Sequence, residues 1–401
     1  MIAKIRALVI AQALILAFVL AGCQSAQPRP APTQTPGPAP SPTPSPADPW
    51  IEEEVSFKSG ANALYGVLTL PAQGGPHPAI VLISGSVNTT TGVRDGVSSG
   101  VHVQHARRLV LDGFAVLRYD PPGVGRSKGA PGFESLDSRA TEAIAAVRYL
   151  RSRPDVRPDR VGLWGGSQGG WVIAMAAAAA PQEVAFIISV SGAGVSVAEQ
   201  QVYGVEAQTR AIVASEESVA KAVLFSRLLI DWQLTNPIYR RVNEAEAQRL
   251  GDGPWNDFLR LVYEPGALTP AEELQKGIAI LEAIQDQPWA RALYLKELYL
   301  PALKSITPEQ LQAVNSATEQ SLLTDPKDFL TRVRCPVLAL FGEADENVPA
   351  KRSAELYAQY LTQAGNRDFE IVVFPGVGHS LGNLMPAYWA RLSAWLKQRF
   401  E

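Results

Sequence analysis

Apolar residues fall along this chain in short runs separated by stretches rich in helix formers. Strand patterns lie near 51–58 and 63–70, and this pair reads as an antiparallel start. Further runs follow near 79–84, 114–119, 160–164, 185–190, 335–341 and 369–374, with helical patterns in the intervals. Alternation of buried strands with helices predicts an α/β fold: a mostly parallel, eight-stranded sheet with helices on both faces. The interval from about 192 to 329 is too long for one crossover and carries only helical signals, near 198–230, 242–250, 272–288, 289–303 and 308–322. We expect it to form a helical cap inserted into the domain. Its rings Trp232, Trp255, Phe258, Tyr263 and Trp289 fit either the cap's own core or a pocket lining, and the core is the commoner fate of such rings.

The first 49 residues break this pattern. Lys4 and Arg6 precede the uncharged stretch Ala7–Leu20, which is too short for a membrane span and suits a signal-peptide core. Leu20-Ala-Gly-Cys23 ends it and resembles a bacterial lipobox. This predicts cleavage of residues 1–22 and lipidation of Cys23, hence a lipid-anchored protein of the cell envelope. Residues 23–49 carry the lipidation candidate and a linker, whose part from Gln27 to Pro49 is proline-dense and cannot pack a core. As polyproline II that part forms a spacer of up to roughly 70 Å. The catalytic candidate region is then 50–401.

Charge and cysteine content narrow the classes. Formal net charge is −3 with 36 Lys and Arg against 39 Asp and Glu, and becomes −5 once Lys4 and Arg6 are removed. No Lys/Arg run of any length occurs, which argues against nucleic acid as a partner. With Cys23 assigned to lipid, Cys335 has no partner for a disulfide. His102 and His105 supply two imidazoles with no evident third ligand, so no metal is implied. No complete phosphate loop or dinucleotide fingerprint is found, and no cofactor is expected.

Chemistry concentrates at three strand ends. Gly165-Gly-Ser-Gln-Gly169 stands between the apolar run Asp159–Trp164 and the helix-forming run from Gly170 to Ala180. A strand-to-helix turn this tight needs glycines beside the serine and lifts Ser167 out of the sheet edge. A serine hydroxyl needs a base to become a nucleophile, and the base needs an orienting carboxylate. Of the four histidines, His77 sits in a turn, and His102 and His105 read as solvated helix positions. His379 occupies the glycine-rich loop after the strand at 369–374. Three acids compete in the loop after 335–341: Glu343, Asp345 and Glu346. Asp345 is chosen for its position three residues past the strand-ending glycine, with Glu343 as runner-up.

Together these segments resemble the α/β-hydrolase superfamily, and within it the bacterial esterase and S9-peptidase-like group. The likeness includes Ala79-Ile-Val-Leu-Ile-Ser-Gly-Ser86, Gly113-Phe-Ala-Val-Leu-Arg-Tyr-Asp-Pro-Pro-Gly-Val-Gly-Arg-Ser127 and Ser167-Gln-Gly-Gly-Trp171. It covers about 50–195 and 330–401. One departure is Pro122, where the family usually carries arginine. Asp120 in that turn reads as a structural hydrogen-bonding residue. The resemblance implies a Ser167–His379–Asp345 triad and an oxyanion hole formed by the N–H of Gln168 and that of Ser86, with Val87 as competitor for the second. It also implies hydrolysis of small to medium carboxylic esters through an acyl-enzyme. S9-like peptidase or amidase activity, acyl transfer and a non-catalytic envelope role are the alternatives.

Overall fold

A computed structural model describes residues 48–86, 96–129, 135–213, 215–234, 236–247, 255–264, 266, 268–381 and 385–400. The lipidation candidate Cys23, the leader, most of the Pro-rich segment and Val87 lie outside them. Eight strands form one sheet: β1 (Trp50–Ser59), β2 (Asn62–Pro71), β3 (His77–Ile83), β4 (Ala115–Tyr119), β5 (Val156–Gly166), β6 (Ile187–Val190), β7 (Val337–Gly342) and β8 (Phe369–Phe374). Their spatial order is β1-β2-β4-β3-β5-β6-β7-β8. β1 and β2 pair antiparallel, as does β2 with β4, and every later pairing is parallel. This is the mostly parallel, eight-stranded sheet expected from the strand pattern, and it is the α/β-hydrolase fold that the resemblance implied. β7 begins at Val337 instead of Cys335, because Pro336 has no N–H for the ladder and offers only its carbonyl, which accepts from Ile187.

The central strands read as unbroken apolar runs because helices cover both faces. Along β3, Ala79, Val81 and Ile83 face one core while Ile80 and Leu82 face the other. β7 repeats this, with Val337, Ala339 and Phe341 on the first face and Leu338 and Leu340 on the second. Two helices flank the early strands: α1 (Gly100–Leu111) and α2 (Leu136–Arg151). α3 (Gly169–Ala179) follows β5. The edge strand β1 alternates buried and exposed residues over its second half, as a half-solvated antiparallel strand should.

Between β6 and β7 the chain forms a helical insertion with its own apolar core. Its α-helices are α4 (Val197–Ile212), α5 (Glu216–Gln233), α6 (Glu244–Ala247), α7 (Trp255–Tyr263), α8 (Pro270–Ile284), α9 (Leu300–Lys304), α10 (Pro308–Leu322) and α11 (Lys327–Leu330). The stretch expected as one helix over 198–230 is two. Ser215 caps the second by accepting from the Ser218 N–H at 3.3 Å. α8 and α10 both start with a capping box, Thr269 with Glu272 and Thr307 with Gln310, followed by proline at the first turn. Residues 288–299 form a 3₁₀ turn and a π turn joined at Tyr294, whose φ is 50°. Helix α7 was not anticipated. Trp232, Phe258 and Trp289 are buried in the insertion's core, and Phe258 packs 5.8 Å from Trp232. After β7 and β8 come α12 (Ala350–Gln363) and α13 (Pro386–Phe400).

Candidate active site

The sheet order brings the ends of β3, β5, β6, β7 and β8 side by side at one edge, where open α/β sheets bind ligands. β5 runs into Ser167, whose φ of 52° lies in the left-handed region that non-glycine residues rarely adopt. A Cβ on Gly165 would lie 2.4 Å from the Gly169 carbonyl oxygen, and one on Gly169 would lie 2.8 Å from the carbonyls of Ile83 and Ser84. Both motif glycines are therefore demanded by backbone contact. The Ser167 N–H donates to the Val190 carbonyl at 2.8 Å, which ties the turn to the end of β6.

The base and acid loops are locked to each other. The N–H of Glu343 donates to Phe374 O and that of Ala344 to Val377 O, both at 2.9 Å. Ser191 Oγ donates to the His379 carbonyl at 2.8 Å. In this frame His379 Nε2 lies 3.0 Å from Ser167 Oγ. Its Nδ1 lies 3.0 and 2.8 Å from the two carboxylate oxygens of Asp345. Asp345 is buried, and its Oδ1 also accepts the N–H groups of Asn347 at 2.8 Å and Val348 at 2.9 Å. The competing acids point elsewhere: Glu343 is exposed and pairs with Lys351 at 3.0 Å, and Glu346 is exposed.

The segments carrying the expected oxyanion donors are adjacent. A Cβ on Gly85 would lie 3.4 Å from Ser167 Cβ, so Ser84-Gly85-Ser86 borders the serine. Gln168 opens α3. Arg139, which the sequence reading passed over, reaches into this junction from α2 and is 2 % exposed. Its guanidinium donates to Gln168 Oε1, to Ser84 O at 2.5 Å and to Gly85 O at 2.9 Å. A signal was present: Arg139 sits on the same helical stripe as Leu136, Ala140 and Ala143, where an apolar residue belongs.

α4 was also unread. Tyr203 OH donates to the Asp345 carbonyl and Gln200 Nε2 to the Asn347 carbonyl, both at 2.8 Å. The insertion's first helix thus rests on the acid loop. Burial raises the Tyr203 pKa, and the charges of Asp345, Glu206 and Glu346 add to the effect, so this phenol stays a donor.

Asp120 takes the structural part expected of it. Its carboxylate accepts the N–H of Val97 at 2.9 Å and that of Arg126 at 3.0 Å. His102 and His105 are not solvated. Both are buried where α1 packs against the sheet and α13. His105 Nδ1–H donates to Val101 O at 2.8 Å, Tyr388 OH donates to His105 Nε2 at 2.7 Å, and Trp164 Nε1–H donates to Tyr388 OH at 3.0 Å. Burial pushes the His102 pKa down to about 4 and the His105 pKa to about 3. Among the described residues no group of three or more His, Cys, Asp or Glu could hold a metal ion.

The fold is that of an α/β-hydrolase, and the class is serine hydrolase. Within it the chain belongs to the Hydrolase_4 family, described as serine aminopeptidase, S33, whose profile matches residues 94–383. Over shorter stretches it is similar to thiohydrolase aneE of Aspergillus aculeatus, 38 % identical over 80 residues, covering 20 % of this chain and 25 % of that protein. Quorum-quenching protein AidA of Acinetobacter baumannii is 36 % identical over 85 residues, covering 21 % and 28 %. The matches span only about a quarter of the length of these relatives. Among solved structures, Est1E from Butyrivibrio proteoclasticus with ferulic acid bound is 16 % identical, covering 86 % of this chain and 98 % of that one at a TM-score of 0.46. The Pyrococcus furiosus esterase PF2001 is 12 % identical, covering 91 % and 97 % at 0.49.

Proposed function

We propose that this protein is a lipid-anchored, extracytoplasmic serine hydrolase that cleaves small to medium carboxylic esters. The hydrogen-bonded relay from Ser167 through His379 to Asp345 carries the reading. Ser167 Oγ attacks the ester carbonyl while His379 Nε2 takes its proton, and Asp345 holds the imidazole in the required tautomer and stabilises its charged form. The N–H groups of Gln168 and Ser86 receive the charge that develops on the carbonyl oxygen. His379 returns the proton to the leaving alcohol, and a water activated by the same imidazole then cleaves the acyl-enzyme. The helical insertion, resting on the acid loop through Tyr203 and Gln200, is the element suited to gate substrate.

The envelope address rests on Lys4, Arg6, the run Ala7–Leu20 and Cys23. Among the described residues no helix is long and apolar enough to cross a membrane. A second reading, cleavage of peptide amides, is favoured by the family's description as a serine aminopeptidase. Intact-mass analysis after fluorophosphonate treatment, beside Ser167→Ala, tests the nucleophile: one adduct on the wild type and none on the variant is expected. Turnover of p-nitrophenyl esters against aminoacyl-p-nitroanilides then separates the two readings, with esters expected to be faster.

A further inference from the structure

Arg139 is a cation placed where its helix should bury a methyl group. α2 packs Leu136, Ala140, Ala143, Val147 and Leu150 into the core beneath the sheet, and Arg139 lies on that stripe, 2 % exposed. Burying a guanidinium is costly unless its donors are satisfied. What it binds is informative. Its hydrogen bonds run to two successive carbonyls of the loop after β3, Ser84 and Gly85, and to the side chain of Gln168, the residue after the candidate nucleophile.

A trans peptide holds its C=O and N–H on opposite sides of one rigid plane. The Gly85 carbonyl belongs to the same plane as the Ser86 N–H. Drawing that oxygen to within 2.9 Å of Arg139 therefore turns the Ser86 N–H away from α2. The Ser84 bond fixes the preceding plane in the same way. The third bond fastens Gln168, whose own N–H is the other donor, to the same planar group. We propose that Arg139 is a positioning residue that sets the oxyanion hole by holding both donor-bearing segments on one rigid fork. The inference rests on the reading of Ser167 as nucleophile and of Gln168 and Ser86 as oxyanion donors.

Arginine suits this place because its fork is planar, always charged and able to bridge three acceptors, whereas a lysine ammonium is a point donor on a flexible stem. A preorganised donor is worth far more in the transition state than in the ground state, and losing one costs about 10²–10³-fold in kcat. Arg139→Met keeps the volume and removes the fork. Its expected kcat on a p-nitrophenyl ester is about 10²-fold below wild type, with KM within about twofold. The acid limb of the kcat/KM profile, which reports the base, is expected not to move.

The decisive measurement is inhibition by a trifluoromethyl ketone, which accepts Ser167 Oγ and places an oxyanion in the hole. Its Ki should rise in Arg139→Met by the same factor by which kcat/KM falls. Arg139→Lys serves as the second variant where the methionine protein fails to fold, and the same proportional rise is expected of it. Either variant, folded by its melting curve, with kcat or Ki within about threefold of wild type overturns the inference. A wild-type protein that takes no fluorophosphonate on Ser167 overturns the proposed function instead, so the two failures are distinguishable.

Discussion

Asp345 faces His379 with both carboxylate oxygens, at 3.0 and 2.8 Å from Nδ1, while the N–H groups of Asn347 and Val348 hold its Oδ1 in place. The carboxylate is therefore aimed before any substrate arrives. Asp345→Asn replaces an acceptor with a group that donates from one side and favours the wrong imidazole tautomer. A kcat loss of about 10³–10⁴-fold is expected, with KM little changed. Glu343→Gln serves as control and should stay within about twofold, since Glu343 is exposed and pairs with Lys351. Equal losses in the two variants would remove Asp345 from the relay.

Gly165→Ala tests the backbone geometry beneath the serine. The new Cβ would lie 2.4 Å from the Gly169 carbonyl oxygen and 2.9 Å from a methyl group of Ile173, so the turn must shift. Overpacking of this kind costs about 1–3 kcal/mol. Urea denaturation should show that loss together with a fall in fluorophosphonate labelling rate of at least about tenfold. Unchanged labelling with reduced stability would mean the turn relaxes without disturbing Ser167.

The sheet and the three triad candidates were legible from sequence because each rests on a local signal. Strands buried on both faces leave continuous apolar runs, and Ser167, Asp345 and His379 each lie in a glycine-containing loop or turn that follows a strand. What stayed hidden depends on tertiary packing. The pattern of α1 does not say that α13 covers it, so His102 and His105 read as solvated and are buried. The helical stripe of α2 marks Arg139 as out of place, but not what it binds, because its acceptors Ser84 and Gly85 are 55 and 54 residues away in sequence. In the insertion, helical propensity ran through 198–230 without marking the break before Ser215. The 3₁₀ and π turns over 288–299 lack any composition signature of their own.

The buried histidines should make the fold acid-sensitive. Both have folded pKa values, about 4 and about 3, below the ordinary value near 6.5. Between these limits the unfolded chain binds more protons than the folded one, so stability is full above pH 6.5 and is lost as pH falls toward 4. At pH 5 each histidine contributes a loss of about 2 kcal/mol. Urea midpoints measured from pH 7 to 5 should fall, and His105→Gln should flatten that slope by about half. A slope the variant leaves untouched would show that His105 is already protonated in the folded protein.

Cys23→Ser bears on localisation independently of the chemistry. A lipobox cysteine carries a diacylglyceryl thioether, and each methylene buried in a bilayer contributes about 0.8 kcal/mol, so two or three chains hold a protein to membrane where one chain does so only marginally. The wild type expressed in a lipoprotein-processing bacterium should sediment with membranes. Its N-terminal peptide should start at Cys23 and carry the diacylglyceryl mass. Cys23→Ser should escape signal cleavage at that site or appear in the soluble fraction, with esterase activity per folded molecule unchanged. Cleavage elsewhere, or membrane association without a lipid mass in the wild type, would overturn the anchor. Ser167, His379 and Asp345 would keep their proposed roles, because the anchor residue and the site are separated by a proline-dense segment in which no contact between them is required.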